Sequence, residues 1–204
     1  MSHELQAYVT EHFPKPLTDG PAVFLGVYTC PSYGTWVPLS ASSDPDELAE
    51  VARLVVAGWN AEYPEEHAEE YLFSDWENFV ASPGENTSFE DVLALVELTE
   101  AVGYKREDAF EVWLGHVGMV YALYEDHKLR PASEIVEQFE EEYCGSYDEF
   151  TDFVQEDYAG VLEALEIPNE VAQYIDYEKI ARDWEVNEYY HERVGGQTHV
   201  FTRN

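Results

Sequence analysis

Two long stretches of this chain contain no lysine or arginine, and they restrict what it can fold into more than any other feature. Leu54 to Tyr104, 51 residues, carries twelve Asp and Glu; Pro131 to Glu178, 48 residues, carries fifteen. Together they hold 27 of the 43 acids, against ten Lys and Arg in all 204 residues, for a formal charge of −33. No element built from these stretches can neutralise its own carboxylates, so each must bury an apolar face and turn its acids to water or to a cationic partner. A field of this strength draws basic surfaces over long range and strains the folded chain by self-repulsion. Duplex DNA carries about one charge per 1.7 Å of axis, so 33 charges correspond to roughly 56 Å of duplex, and a dimer doubles both. The charge therefore points to a large, basic, DNA-binding partner and to a polyanionic decoy.

Disorder is the competing reading of an acidic chain, and the aromatics exclude it. At 15% aromatic and 45% apolar residues, the chain has enough surface to bury to offset its entropy. No run approaches 18 apolar residues and the N-terminus lacks a basic region before an apolar core, so we expect neither a membrane span nor a signal peptide, and a cytoplasmic location. Cys30 and Cys144 have no metal or redox spacing and are expected to be free thiols. Salt adaptation is a second bland reading. It is weakened by the excess of Glu over Asp, 31 to 12, and by the concentration of acid into two base-free runs.

The pattern along the chain is α+β. Residues 1–21, interrupted by Pro14, Pro16 and Pro21, read as an extended or poorly ordered N-terminal arm. Ala22 to Cys30 and Gly34 to Ser40 read as paired strands joined by Pro31-Ser32-Tyr33, with Pro38 marking an edge. Asp44, Pro45 and Glu47 open a helix whose Leu48, Val51, Val55 and Trp59 face inward, and a strand follows at Tyr71 to Phe73. A Thr87/Glu90 capping box starts the next helix, with Phe89, Val92, Leu93 and Val96 inward and Gly103 at its end. Residues 106–128 read as short helices broken at Gly115 and Gly118, burying Phe110, Trp113, Leu114, Val117 and Tyr121. After Pro131 come two amphipathic helices. Ile135, Val136, Phe139 and Tyr143 line the first, and Phe150, Phe153, Val154, Val161, Leu162 and Leu165 the second. The expected division is an arm at 1–21, a sheet-plus-helix domain at 22–82, a helical domain at 83–130 and an α+β domain at 131–204.

The outward positions are the candidate partner contacts. They are Glu65, Glu66, Glu69 and Glu70 after the first helix, and Glu90, Asp91, Glu97 and Glu100 on the second. Glu134, Glu137 and Glu141 follow on the third, then Glu149, Asp152, Glu156 and Glu163 on the fourth. Acids three and four apart on a helix stand about 5–6 Å from one another and form rows. One such row is normally just a solvated face. Solvated faces, however, intersperse Lys and Arg to gain pairs, whereas like charges at this spacing cost similar amounts. Uncompensated rows imply a use for the negative potential itself.

Catalytic and metal chemistry find no foothold. The histidines (His3, His12, His67, His116, His127, His191, His199) show no ligand spacing, 148–157 lacks the pattern of a calcium loop, and neither a phosphate-binding glycine loop nor a nucleophile motif occurs. We therefore expect no enzyme activity, cofactor or metal. Direct nucleic-acid binding is excluded because phosphate contact needs clustered bases.

The C-terminal third carries a specific resemblance. Ile167-Pro168, then Tyr174-Ile175-Asp176-Tyr177-Glu178-Lys179-Ile180-Ala181-Arg182-Asp183-Trp184, resembles the signature of the ArdA-type antirestriction proteins, and His199-Val200-Phe201 is similar to that family's last strand. Tyr33-Gly34-Thr35-Trp36 and Ser74-Asp75-Trp76-Glu77-Asn78-Phe79 match its earlier strands in order, so the resemblance spans about residues 22 to 201. It departs at Cys30-Pro31-Ser32-Tyr33, where the family has a Tyr-Asn-x-Gly turn, and finds no counterpart for the N-terminal arm. The resemblance implies three small domains in a curved, elongated monomer, a homodimer formed through the C-terminal unit, and a mimic of B-form DNA. That mimic would occupy the DNA groove of a type I restriction-modification enzyme, at its methyltransferase core. Tyr174, Tyr177, Ile180 and Trp184 are the candidate signature and dimer residues, although their spacing equally suits the core of any amphipathic helix. The residues alone leave open another DNA-binding target, or a salt-adapted, cation-buffering structural protein.

Overall fold

A computed structural model describes residues 3–13, 20–126 and 128–203. His127 and the parts of the N-terminal arm at 1–2 and 14–19 lie outside them. The elements run α1 (His3–His12), β1 (Ala22–Val27), β2 (Cys30–Pro38), α2 (Pro45–Glu62), β3 (Tyr71–Glu77), α3 (Phe89–Val102), a 3-10 turn, α4 (Glu107–Val117), α5 (Met119–Leu123), β4 (Tyr124–Glu125), β5 (Lys128–Leu129), α6 (Ala132–Glu142), β6 (Tyr143–Tyr147), α7 (Phe150–Ala164), α8 (Asn169–Ala172), α9 (Tyr177–Asn187), β7 (Tyr189–Val194) and β8 (Gln197–Thr202). The fold is α+β, with small antiparallel sheets flanked by helices. Packing groups the chain into two compact units, Met1–Tyr104 with Leu123–Glu134, and Lys105–Ala122 with Ile135–Asn204.

In the first unit β1 lies between β2 and β3, so Pro38 does sit on an edge strand. The hairpin turn differs from expectation. Val27 pairs with Cys30, which puts the turn at Tyr28-Thr29, while Gly26 pairs with Gly34 and Pro31, Ser32 and Tyr33 bulge from the ladder. An edge bulge suits Pro31, which has no N–H to offer. Gly34 is required here, since a Cβ would lie 1.9 Å from the carbonyl oxygen of Leu25. Asp44 caps α2 by accepting the Asp46 N–H at 2.8 Å, and Leu48, Val51, Val55 and Trp59 are buried as their spacing predicts. On α3 the cap moves by one residue. Ser88 accepts the Asp91 N–H at 3.1 Å, while Thr87 accepts from Gly84 at 2.7 Å and so belongs to the preceding turn. Val92 and Val96 pack into the core shared by β1, β2 and α2.

The described part of the arm is not extended: His3–His12 is helical, and Leu5, Val9 and Phe13 are buried in that core. Its apolar residues recur at a spacing of four, a short period hidden by the prolines that follow.

The second unit centres on a sheet in which β8 lies between β6 and β7. Phe110, Trp113 and Phe139 form an interlocked aromatic trio against α4 and α6, continued by Tyr143, Phe201 and Tyr190. Gly115 does not break α4; the interruption falls at Gly118, whose φ of 89° ends the helix. Tyr121, expected inside, is 83% exposed, because α5 lasts only five residues after that break. Val161 and Leu165 are exposed as well. Phe150, Phe153 and Val154 bury the first half of α7, whereas its second half leaves the core. The end of the stretch read as helical, Tyr124–Glu125, instead forms a short ladder with Lys128–Leu129.

Because Leu5 is 1% exposed within the first core, Leu5→Ala should lower unfolding free energy by about 2–5 kcal/mol, read from urea titration. A loss under about 0.5 kcal/mol, the range of surface substitutions, would mean that α1 is not seated on this core.

Candidate partner-binding surface

Every carboxylate singled out from the sequence reaches solvent; only Asp91 is half-buried. Glu65, Glu66, Glu69 and Glu70 lie on the loop after α2, which is clamped in place. The Trp59 indole donates to the Glu66 carbonyl at 2.6 Å, and Asn60 exchanges two hydrogen bonds with the Ala68 backbone, at 2.8 and 2.9 Å. Ala68 is buried beneath, so the four acids stand around a fixed point. Glu69 and Glu70 share a hollow of about 340 Å³ with Tyr71 and with Glu85, an acid that sequence reasoning passed over. Among the described residues no group of His, Cys, Asp or Glu is arranged to hold a metal ion.

Glu90 and Asp91 occupy the first turn of α3, where the helix N-terminus favours them. Glu97 and Glu100 sit toward the opposite end, and Glu100 has a structural task, accepting the Ala41 N–H at 3.0 Å. Glu134, Glu137 and Glu141 follow one stripe of α6. Glu149, Asp152, Glu156 and Glu163 run along α7, where Asp152 also accepts the Glu149 N–H at 3.0 Å. A helical row of one acid per turn, about 5.4 Å, is sparser than a phosphate strand at roughly 3.4 Å. Exposed Asp157 and Glu170 add charge beside it.

The negative potential is balanced locally at only a few points. Helices α2, α3, α6, α7 and α9 have no base in the last turn, and α6 ends in Glu140-Glu141-Glu142. Acids there oppose the helix dipole at a cost of about 0.3–1 kcal/mol each. The arginines, meanwhile, are engaged inside their own units. Arg53 pairs with Glu50, Arg106 with Glu140, Arg182 with Glu178 and Arg193 with Glu149, while Arg203 donates to the carbonyls of Tyr189 and Glu185. Nearby tyrosines register the field. Burial raises the pKa values of Tyr71, Tyr124 and Tyr147, and Glu90, Asp91 and Glu156 respectively add to the shift, so these hydroxyls stay protonated.

The signature residues divide. Tyr177, Ile180 and Trp184 pack against the core of Phe150, Phe153, Val154, Ala181 and Val200. Tyr174, just before the Asp176 cap of α9, is 83% exposed. Three of the four thus hold the unit together and one is free for contact. The sequence profile of the family antirestriction protein (ArdA) matches residues 26–198. The chain belongs to this family. The match leaves α1 outside it and takes in β2, β3, the acidic helices and the signature alike. A comparison with curated proteins found no match. Among the described residues, no helix is long and apolar enough to cross a membrane.

One carboxylate departs from the outward rule. Glu142 is buried, taking the Trp113 indole N–H at 2.7 Å and the Gln138 amide at 3.2 Å. Nothing in the sequence separates it from Glu140 and Glu141 except its place on the inner stripe of α6, one turn from Gln138. Near it, Tyr190 stacks between His116 and Phe201, its hydroxyl buried without a partner among the described residues and its pKa raised by burial and by Glu142. His199 is also buried, with Nδ1 3.3 Å from the Tyr143 hydroxyl and Nε2 unpartnered among the described residues. Burial lowers its pKa from 6.5, against the opposing pull of Asp108. His116 is lowered as well, first by burial and then by Arg203, with Glu142 opposing.

The unfolded chain therefore binds these protons more readily than the folded one. The stability these neutral rings contribute is complete above about pH 6.5 and is lost as pH falls below it, toward the lowered folded values. Between pH 7.5 and 5.5 the urea midpoint of His199→Gln should fall less than that of the parent chain. Equal losses would remove His199 as a cause.

Proposed function

We propose that this protein blocks a type I restriction-modification enzyme by presenting its carboxylates to the enzyme's DNA-binding groove in place of phosphates. The observation that carries this reading is the run of exposed acids on α6 and α7, helices with no Lys or Arg of their own, beside arginines already engaged by partners within their own unit. Such a surface offers a basic cleft many simultaneous contacts and offers DNA none. Membership of an antirestriction family supports a restriction enzyme as the target. No bond is made or broken: the carboxylates meet Lys and Arg of the methyltransferase core and compete with duplex for one site. Fixed side chains on helices need little ordering on binding, which favours them over a flexible polyanion.

The test is competition between the protein and duplex DNA for a purified type I methyltransferase core. Glu137→Gln alone should change binding by under about 1 kcal/mol, as for one exposed pair among many. Changing Glu134, Glu137, Glu141, Glu156 and Glu163 together should abolish it. Added salt should weaken the complex while stabilising the free protein by screening its self-repulsion. If one Glu→Gln change eliminates inhibition, distributed mimicry is wrong. Displacement of DNA from a nucleoid protein but not from the methyltransferase core would assign a different target. A free protein that gains stability up to molar salt and binds neither would be a salt-adapted structural protein.

We also propose that a second copy covers the exposed apolar stretch at the end of α7 and through α8. Leu165, Val171 and Tyr174 are 64%, 54% and 83% exposed there, with Val161 beside them in sequence. Leu165→Glu combined with Tyr174→Glu should yield a monomer in sedimentation experiments at concentrations where the parent chain is a dimer. Two identical sedimentation profiles would rule this seam out.

A further inference from the structure

We propose that Arg193 is the positioning residue for the acidic row on α7, an inference that rests on the mimicry reading and deepens it. β7 and β8 are joined at Gly195-Gly196, with Val194 paired to Gln197 and φ values of 62° and 87°. Positive φ at both central residues matches the turn to the twist of its strands. The tip lies close against α4: a Cβ on Gly195 would lie 2.0 Å from Asp108 Oδ2. Arg193 projects from this tip. Its Nη1 donates to the Asp148 carbonyl at 2.9 Å and to Glu149 Oε1 at 2.8 Å, and its Nη2 donates to the Gly196 carbonyl at 3.1 Å. Gln197 and Thr198 reach the same Asp148, its side chain and its carbonyl, both at 3.3 Å.

Asp148 and Glu149 are the two residues before α7, and Glu149 begins the row. Phe150, Phe153 and Val154 fix which face of α7 is buried. The Arg193 fork holds the start of the helix and the direction of its first carboxylate. It is poorly placed to act through stability, because Arg193 and Glu149 are 53% and 69% exposed and such pairs contribute little to folding. Its charge also opposes the overall field, so what it adds to the anionic surface comes through geometry and not through charge. A planar guanidinium presents its donors as a rigid fork on separate nitrogens, whereas an ammonium offers three from a single point on a flexible stem.

Charge count and positioning predict opposite signs. Arg193→Gln takes the formal charge from −33 to −34, which by charge alone should tighten binding to a basic cleft. Positioning requires instead that binding to a purified type I methyltransferase core weaken roughly fivefold or more, with a shallower dependence on salt because fewer contacts form at once. Arg193→Lys, which keeps the charge and loses the fork, should behave like the Gln variant. Arg53→Gln, which removes the same charge from a pair within α2, should bind as the parent does. Amide exchange at Asp152, Phe153 and Val154 should quicken in Arg193→Gln with the rest of the unit unchanged. A lower melting temperature with unchanged affinity, tighter binding, or unaltered exchange at these amides would each overturn the proposal. If the parent chain does not bind the core, the mimicry reading falls, and the exchange measurement still decides whether Arg193 holds α7.

Discussion

The constraint on which the structure depends is the absence of counter-charge. With 43 acids against ten Lys and Arg, ion pairs cannot hold this fold together, and the net electrostatic term opposes compaction. Apolar burial has to outweigh it. The aromatic content serves that end: Trp113, Phe110 and Phe139 interlock in one unit, while Phe73, Trp59 and Phe13 anchor the core of the other. Large rings bury much area per residue and leave many positions free to be acidic.

The few bases follow from the same constraint. An unpaired arginine would open a gap in the field. Paired to an acid or a carbonyl of another element, it becomes a bracket between the two. Arg106 ties the start of α4 to Glu140 on α6, Arg203 ties the end of β8 to carbonyls at Glu185 and Tyr189, and Arg193 ties a hairpin tip to the start of α7. Glu142 is the converse case, a carboxylate placed inside. Hydrogen bonds from Trp113 and Gln138 offset part of its desolvation.

Much of the local structure was legible because local rules decide it. Asp44 and Pro45 start α2, Gly103 ends α3, and the inward residues of α2 follow their helical spacing to the letter. The misreadings lie where a neighbour in space overruled the local signal. Thr87 and Ser88 are both good caps, and a hydrogen bond from Gly84 decided between them. Pro31-Ser32-Tyr33 looked like a turn but forms a bulge, since Gly26 and Gly34 let two backbones approach closely. Gly-Gly between two β-prone runs at 189–202 was an available hairpin signal, and it would have located Arg193 beside the turn. The spacing of four at Leu5, Val9 and Phe13 allowed a helix but did not reveal that they dock on a core assembled from residues 22–96.

The candidate surface itself could be read from sequence. Bases are scarce along these stretches, so exposure of the named acids followed from composition and helical period, with buried Glu142 the exception. Which residues fix those acids in space could not be read so. The loop at 65–70 is clamped by Asn60, Glu142 is drawn in by Trp113 from 29 residues away, and Arg193 reaches Glu149 across 44. Trp113 and Arg193 meet their partners only because β8 lies between β6 and β7 and α4 packs on that sheet. Charge and periodicity act between near neighbours and are written in the chain, whereas the rigidity of the anionic surface depends on contacts that exist only after the strands have chosen their order.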